Sequence, residues 1–319
     1  MTNVIAQKPS VLVMMATYNG EKYVAEQIDS ILAQEGVDVT LTISDDCSSD
    51  ATSQICARYA QNSNNVHFAV NNNNKGLARN FMGMLYGANA KSYDYFAFSD
   101  QDDYWMPNKL ERAIEAITSA GEGPRLYYSD VCNVDEHLNG GSREYAAFAP
   151  YANSFGLLLT VNWASGCTMV FNTAFASVLQ RYVPQEWPRI HDGWVHLVAR
   201  ALNAQVPDLD HACIKRRISC QNQVGERRLG SLHLKRIVMI PVYLFSKGKN
   251  HHWAVRAASE LRRGYSDVMD ADCLGICETF IRAEKSFFTR LRLAFDPRFK
   301  SPYPVENAMY PIKMILNKY

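Results

Sequence analysis

Two acidic clusters stand out in an otherwise even chain: Asp45, Asp46 and Asp50, then Asp100, Asp102 and Asp103. Asp100 and Asp102 lie two residues apart, and carboxylates at that spacing on a strand end point the same way. Such a pair can share a hard divalent cation, Mg2+ or Mn2+, whose coordination a diphosphate completes. The cation would neutralise charge on a leaving nucleoside diphosphate, as a Lewis acid does at a phosphoryl leaving group. The same spacing also fits a solvated acidic turn before the helix expected at Pro107, so the pair alone does not define a site.

The elements around these clusters give them a common place. Val11 to Ala16 is a continuous apolar run suited to a strand buried on both faces, ending at Thr17-Tyr18-Asn19-Gly20. A helix should follow with Asn19 as its N-cap and Val24, Ile28, Ile31 and Leu32 on one face. A second strand, Val39 to Ser44, stops at Asp45-Asp46, and Ser48, Ser49 or Asp50 can cap the helix carrying Ile55 and Tyr59. Val66 to Val70 reads as a third strand, Asn71 to Gly76 as a loop, and Leu77, Phe81 and Leu85 as a buried helical stripe. Tyr95 to Ser99 is a fourth strand running into the Asp100 cluster, after which Pro107 suits the first turn of a helix. Alternating strands and helices predict an α/β fold, with a mostly parallel sheet and helices on both faces. Every polar cluster then sits at the carboxyl end of a strand, the edge where open α/β sheets bind ligands.

Past residue 130 the pattern changes. Gly166 to Phe171 reads as one more strand, Trp194 to Leu202 as a helix opened by His191-Asp192-Gly193, and the chain from about 225 onward as mainly helical. A chain of 319 residues is one large domain or two joined ones at roughly 100–200 residues each. The division expected is 1–225, with a donor half at 10–130 and an acceptor half at 131–225, followed by a helical region at 226–319.

Composition narrows the function classes. With 33 basic against 32 acidic residues the net charge is +1, and nothing global favours nucleic acid. Eight cysteines show neither zinc spacing nor the density of a disulfide scaffold. No charged-then-apolar leader opens the chain, and Ile237 to Phe245 is far shorter than the roughly 20 residues of a membrane span. A cytoplasmic protein is expected, at most peripheral on the inner face of the cell membrane. The first turn, Thr-Tyr-Asn-Gly-Glu-Lys-Tyr, lacks the Gly-x-Gly-x-x-Gly of a dinucleotide-binding dehydrogenase.

Four motifs occur in order: Val-Leu-Val-Met-Met-Ala-Thr-Tyr-Asn-Gly, Ile-Ser-Asp-Asp-Cys-Ser-Ser-Asp, Asn-Lys-Gly-Leu-Ala-Arg-Asn and Phe-Ser-Asp-Gln-Asp-Asp-Tyr-Trp-Met-Pro-Asn-Lys-Leu. Together they resemble the family 2 inverting glycosyltransferases of the GT-A fold, strongly over residues 10 to 118 and more weakly to about 225. The later segments Tyr128-Ser129-Asp130, Gly166 to Asn172 and His191-Asp192-Gly193-Trp194 resemble the bacterial rhamnosyltransferase branch, whose members commonly build O-antigens or capsules. The resemblance implies a metal-dependent hexosyltransferase with a nucleotide-sugar donor and a saccharide or lipid-linked saccharide acceptor. It places Thr17, Tyr18, Asn19, Glu21 and Asp100 at the donor nucleotide, with Asp45 or Asp46 accepting from a pyrimidine ring N–H and Arg79 reaching a phosphate. The metal would sit on Asp100 and Asp102, and Asp192 matches the base that takes the acceptor proton. An N-cap role competes at Asp192, because it lies at an expected helix start.

The resemblance also has a gap. Related sequences usually carry Arg-x-His-Gly-x-Asn followed by Gly; here Arg217, Asn222 and Gly225 fit, while Ser219 and Cys220 replace the His-Gly pair. His191, His196 and His211 are left out of the metal site, because a lone histidine is more often a packed or surface residue than a ligand. The donor implied is dTDP-rhamnose, with a UDP-hexose as the alternative. A catalytically silent nucleotide-sugar scaffold and an Asp-dependent phosphatase are the competing functions. Between Lys215 and Lys249 nine basic residues meet one acidic residue, Glu226, with apolar residues interleaved. That segment reads either as a core-packed helix or as a face lying on an anionic leaflet.

Overall fold

The computed structural model describes residues 7–187, 190–218 and 252–318. All of the Lys215–Lys249 segment beyond Ile218, the Ser219-Cys220 substitution and the boundary near 225 lie outside the described residues.

The first strand, β1 (Ser10–Thr17), is buried on both faces, as its unbroken apolar run requires. Side chains alternate across it: Leu12 and Met14 join one core, Val11, Val13 and Met15 the other. Each such burial removes a large apolar side chain from water and stabilises the fold by about 1.5–3 kcal/mol. β2 (Asp38–Asp45) and β4 (Tyr95–Ser99) pair parallel to β1 on its two sides, and β3 (Val66–Val70) pairs parallel to β2. The helices α1 (Val24–Leu32), α2 (Thr52–Asn62) and α4 (Lys109–Ser119) cover one face and α3 (Leu77–Gly87) the other.

Beyond β4 the sheet is mixed. Its order is β3-β2-β1-β4-β8-β6-β9-β5, with β7 (Ser142–Arg143) paired to β6. Here β5 is Tyr104–Trp105, β6 Leu126–Val134, β8 Val170–Asn172 and β9 Gln205–Arg217. The short β8 runs antiparallel to both β4 and β6, whereas β6 and β9 are parallel. The pairings among β1 to β4 are therefore all parallel, and every antiparallel pairing involves β7, β8 or β9.

Four local expectations are corrected. Asn19 does not cap α1, which starts at Val24 after a turn closed on the Gly20 carbonyl. Instead Asn19 adopts the left-handed region (φ 49°), and its side-chain oxygen accepts the Ser49 N–H at 2.8 Å. Pro107 precedes α4 rather than opening it, since the N-cap is Asn108. Gly166 to Phe171 is a 3-10 turn at Gly166–Thr168 followed by the short β8, not a single strand. Finally, α7 (His191–Ala201) is capped at Ile190, so Asp192 lies inside the first turn and is not the N-cap. A carboxylate there still meets the positive end of the helix.

The described part of the C-terminal region is helical: α8 (Trp253–Tyr265), α9 (Ala271–Ala283), α10 (Phe287–Ala294) and α11 (Pro304–Ile315). The intervening α5 (Phe155–Thr160) and α6 (Thr173–Gln180) receive it. Tyr182 packs where a Cβ on Gly264 would come within 2.4 Å of its ring, and its hydroxyl donates to Glu260. Ser154 donates to the Arg298 carbonyl at 2.8 Å, and the Phe148 ring meets Tyr303 edge-on. One hydrophobic core runs without interruption from Leu12 and Phe98 to Phe280 and Met314. Among the described residues no helix is long and apolar enough to cross a membrane.

Candidate active site

The strand ends of β1, β2 and β4 form one rim. Thr17, at the end of β1, donates to Asp45 at 2.8 Å, and Asp46 N–H bonds back to the Thr17 carbonyl. The Asp45 carboxylate also accepts from the Ser48 N–H and hydroxyl and from Ser53, and it is fully buried. Four hydrogen bonds fill its acceptor capacity. Asp46 accepts three: Asn71 Nδ2 at 2.9 Å, the Lys75 N–H at 2.7 Å and the Gly76 N–H at 2.8 Å. Of the two, Asp46 keeps capacity for a further donor. Both carboxylates shape the rim before any ligand arrives.

Tyr18 is about half exposed, and its backbone is clamped by Gln101, which accepts from the Tyr18 N–H at 2.8 Å and donates to its carbonyl at 3.0 Å. That clamp explains Gly20, since a Cβ there would stand 2.3 Å from the Gln101 amide. Glu21 accepts from the Ala51 N–H at the start of α2, bracing the same rim; the N-cap of α2 is Ala51, not Ser48, Ser49 or Asp50 as expected, although Asp50 just before it accepts from the Thr52 N–H. Arg79 is exposed in the first turn of α3, where a helix N-terminus and a guanidinium together favour phosphate.

The Asp100 loop is held from beneath by polar residues on α1 and just past its end. Gln27 donates to Ser99, Ser30 accepts from the Trp105 N–H, and Gln34 bonds both the Met106 carbonyl and the Leu110 N–H. Arg217, at the end of β9, is almost wholly buried. It donates to the carbonyls of Asp102 (2.9 Å) and Asp103 (3.2 Å), pairs with Glu26 and lies over the Tyr23 ring. Arg216 beside it pairs with Glu144 and donates to Asn133 and Ser165.

Asp192 joins this edge from the other half of the chain. Its Oδ1 accepts from Asn162 at 2.9 Å and from the Gly193 N–H at 2.6 Å, and its Oδ2 from the Gly166 N–H at 3.3 Å. Gly166 is required: a Cβ there would fall 2.4 Å from His191 Nε2 and 3.3 Å from Asp192 Cβ. His191 cannot yield, because it stacks on Phe81 at 4.0 Å and meets Phe98 edge-on. Burial drops its pKa to about 3, so it is a neutral packing ring. His196 lies buried against Tyr128 and Trp163, and His211 bonds Asp208.

Electrostatics ties the carboxylates together. Burial, then the charges of Asp102 and Asp192, push Asp100 up to about 7, with Arg216 opposing. Asp102 is raised by burial and lowered by Arg217 and Arg216. Asp103 is raised well above the carboxylate range by burial and then by Asp102 and Asp100. Like charges gathered in a partly dry site are what a divalent cation relieves, and hard carboxylate oxygens suit Mg2+ or Mn2+. Among the described residues, Asp100, Asp103 and Cys167 offer ligand-type atoms that all lie within 4.8 Å of one another. Asp103 Oδ2 has no hydrogen-bond partner among the described residues. Asp103 and Cys167 stand in segments that the sequence marked but gave no site role, whereas Asn162, Gln27, Ser30 and Gln34 carried no motif signal.

A parallel nucleotide-type sheet, with acidic loops at its carboxyl edge and a carboxylate brought in by a later helix, defines a GT-A type fold. The family model described as glycosyl transferase family 2 matches residues 12–179, and the chain belongs to that family. Over 105 residues it is 39% identical to a dTDP-rhamnosyl transferase, RfbG, of Shigella flexneri, a match covering 32% of this chain and 36% of the relative. The succinoglycan biosynthesis protein ExoO of Rhizobium meliloti is 34% identical over 131 residues, covering 41% and 36%. The matched part is thus little more than a third of either relative. Among solved structures, S. aureus TarS 1-349 in complex with UDP-GlcNAc superposes with a TM-score of 0.55 at 19% identity, covering 97% of this chain and 89% of that one. The mannosyltransferase PcManGT of Pyrobaculum calidifontis, in complex with GDP-Man and Mn2+, gives 0.50 at 15% identity, covering 95% and 88%. These likenesses show the fold.

Proposed function

We propose that the protein is an inverting, metal-dependent glycosyltransferase. In this reading it moves L-rhamnose from dTDP-rhamnose, or a hexose from a UDP-sugar, onto a surface-polysaccharide or lipid-linked saccharide acceptor. The observation that carries the reading is the convergence of Asp100, Asp102 and Asp192, close enough that both neighbours raise Asp100. The similarity to RfbG, a dTDP-rhamnosyl transferase, supports the rhamnose donor.

Residues 10–130 form the donor half. Tyr18, exposed on the rim, offers a ring to the base, and Asp46, with its remaining acceptor capacity, takes the single ring N–H of thymine or uracil. Thr17, Asn19 and Glu21 hold the rim's shape, and Arg79 reaches toward the diphosphate. Asp100 and Asp102 would hold Mg2+ or Mn2+, which supplies charge neutralisation of the departing diphosphate when bound. Asp192, in the acceptor half at 131–225, accepts the proton of the incoming hydroxyl. The region 226–319 supports the acceptor half and brings the enzyme to its acceptor.

Thermal-shift titration with dTDP- and UDP-sugars in Mn2+ tests this reading. A binder of the native state raises apparent stability with the logarithm of its concentration. A metal-dependent rise with dTDP-rhamnose or a UDP-hexose is expected. No response to any nucleotide sugar overturns the proposal.

A further inference from the structure

The last two helices carry an apolar surface that the core does not use. Phe287, Phe288 and Leu291 of α10, with Phe295 just past its end, are exposed, Phe288 by 81% and Phe295 by 70%. Phe287, Leu291 and Phe295 recur every four residues and make one stripe, while Leu293 and Ala294 turn inward and are buried. The neighbouring α11 adds Ile312 and, just past its end, Leu316, both exposed. A contiguous set of large apolar side chains marks an interaction surface in a way that scattered ones do not.

Its surroundings are basic. Between residues 284 and 318 seven Lys or Arg (285, 290, 292, 298, 300, 313 and 318) face three carboxylates (284, 296 and 306), a net charge of +4 in a protein of net +1. Lys285, Arg292 and Lys300 are exposed and form no ion pair among the described residues. Exposed phenylalanines among cations are what an interfacial helix presents, with rings for the acyl boundary and charges for the headgroups. At eight residues α10 is about 12 Å long, so it can lie on a bilayer and cannot span one.

We propose that the α10/α11 face docks on an anionic lipid bilayer. Charge decides between this occupant and a second copy of the chain, because an isologous dimer would press two net-positive faces together. The position of the face gives docking a use. Tyr303, the N-cap of α11, meets Phe148, which stacks on Trp163, the neighbour of the Asn162 that bonds Asp192. A docked enzyme holds its acceptor half beside the membrane, a consequence that rests on the lipid-linked acceptor proposed above. The docking itself does not.

Co-sedimentation of the full chain with vesicles of phosphatidylcholine alone, or of equal parts phosphatidylcholine and phosphatidylglycerol, tests the surface at low and high salt. Binding to the mixed vesicles at low salt, weakening with salt, is expected. F288S/F295S should lower partitioning on the order of 100-fold, at about tenfold per ring withdrawn from the acyl boundary. K285Q/R292Q should lower it roughly 30-fold, at about fivefold per cation. These side chains are exposed, so unchanged melting temperatures are expected and separate lost docking from lost folding. The proposal is overturned if no vesicle binds or if F288S/F295S leaves binding intact. It is equally overturned if only K235Q/R236Q abolishes binding, or if F288S/F295S abolishes self-association of a protein that ignores vesicles. Sugar-nucleotide binding is read separately, so failure here leaves the glycosyltransferase reading standing.

Discussion

Cation binding should fall steeply with acidity across the neutral range, because Asp100 holds its proton up to about 7. A divalent ion needs that carboxylate ionised, so proton and metal compete for it. About one pH unit below the midpoint the apparent affinity should be roughly tenfold under its plateau, and about two units below, roughly a hundredfold. The plateau lies above the midpoint. Asp192→Asn removes one of the two charges that raise Asp100 and should move the midpoint down. The sign for stability follows from the same shift. The folded metal-free protein binds this proton more tightly than the unfolded chain, so Asp100 opposes folding increasingly as pH rises from the ordinary carboxylate range through about 7. Mn2+ should reverse that loss. Titration calorimetry with Mn2+, run across the range in two buffers of different ionisation enthalpy, reads both affinity and released protons. An affinity flat through the neutral range with no proton release would refute the reasoning.

Two further substitutions probe the frame of the site. Asp102→Asn should weaken Mn2+ binding by at least about tenfold, the loss of one charged ligand in a partly buried site, while the melting temperature barely changes. Arg217 is held by the Asp102 carbonyl, which the substitution leaves in place; turnover equal to wild type in saturating Mn2+ would remove Asp102 from the metal site. Gly166→Ala should cost about 1–3 kcal/mol, because the new Cβ meets a His191 ring already fixed between Phe81 and Phe98. It should also displace the start of α7 and lower transfer by about 10²-fold per ångström at Asp192. Denaturant melts and initial rates check both, and a neutral result in each would show that His191 has room to move.

The strands and helices of residues 10–118 were legible because their physics is local. Five apolar residues in a row at Val11 to Met15 suit a strand buried on both faces, which is what β1 is, and the acidic loops follow β2 and β4 directly. Caps and short strands were less legible. Asn19 has the right side chain for a helix start, yet its bond to Ser49 lies across two loops, a partner no local rule supplies. Gly166 to Phe171 has strand composition, but the room needed by His191 and Asp192 turns its first half into a 3-10 turn. The supports of the site come from far along the chain: Gln27, Ser30 and Gln34 look like ordinary helix residues, and their buried polar faces show only once the Asp100 loop lies across them. Arg217 sat in a motif from the start, but its grip on the Asp102 and Asp103 carbonyls spans more than a hundred residues.

The central claim is that Asp192 takes the acceptor proton while the sugar leaves a diphosphate held at Asp100 and Asp102. Proton NMR of the transfer product, formed by wild type and by Asp192→Asn, tests it most directly. The account predicts a product whose anomeric configuration is opposite to the donor's. It also predicts a variant that binds nucleotide as before but transfers on the order of 10²–10⁴-fold more slowly, the usual worth of a positioned base. Retained configuration, or wild-type turnover in Asp192→Asn, would contradict it.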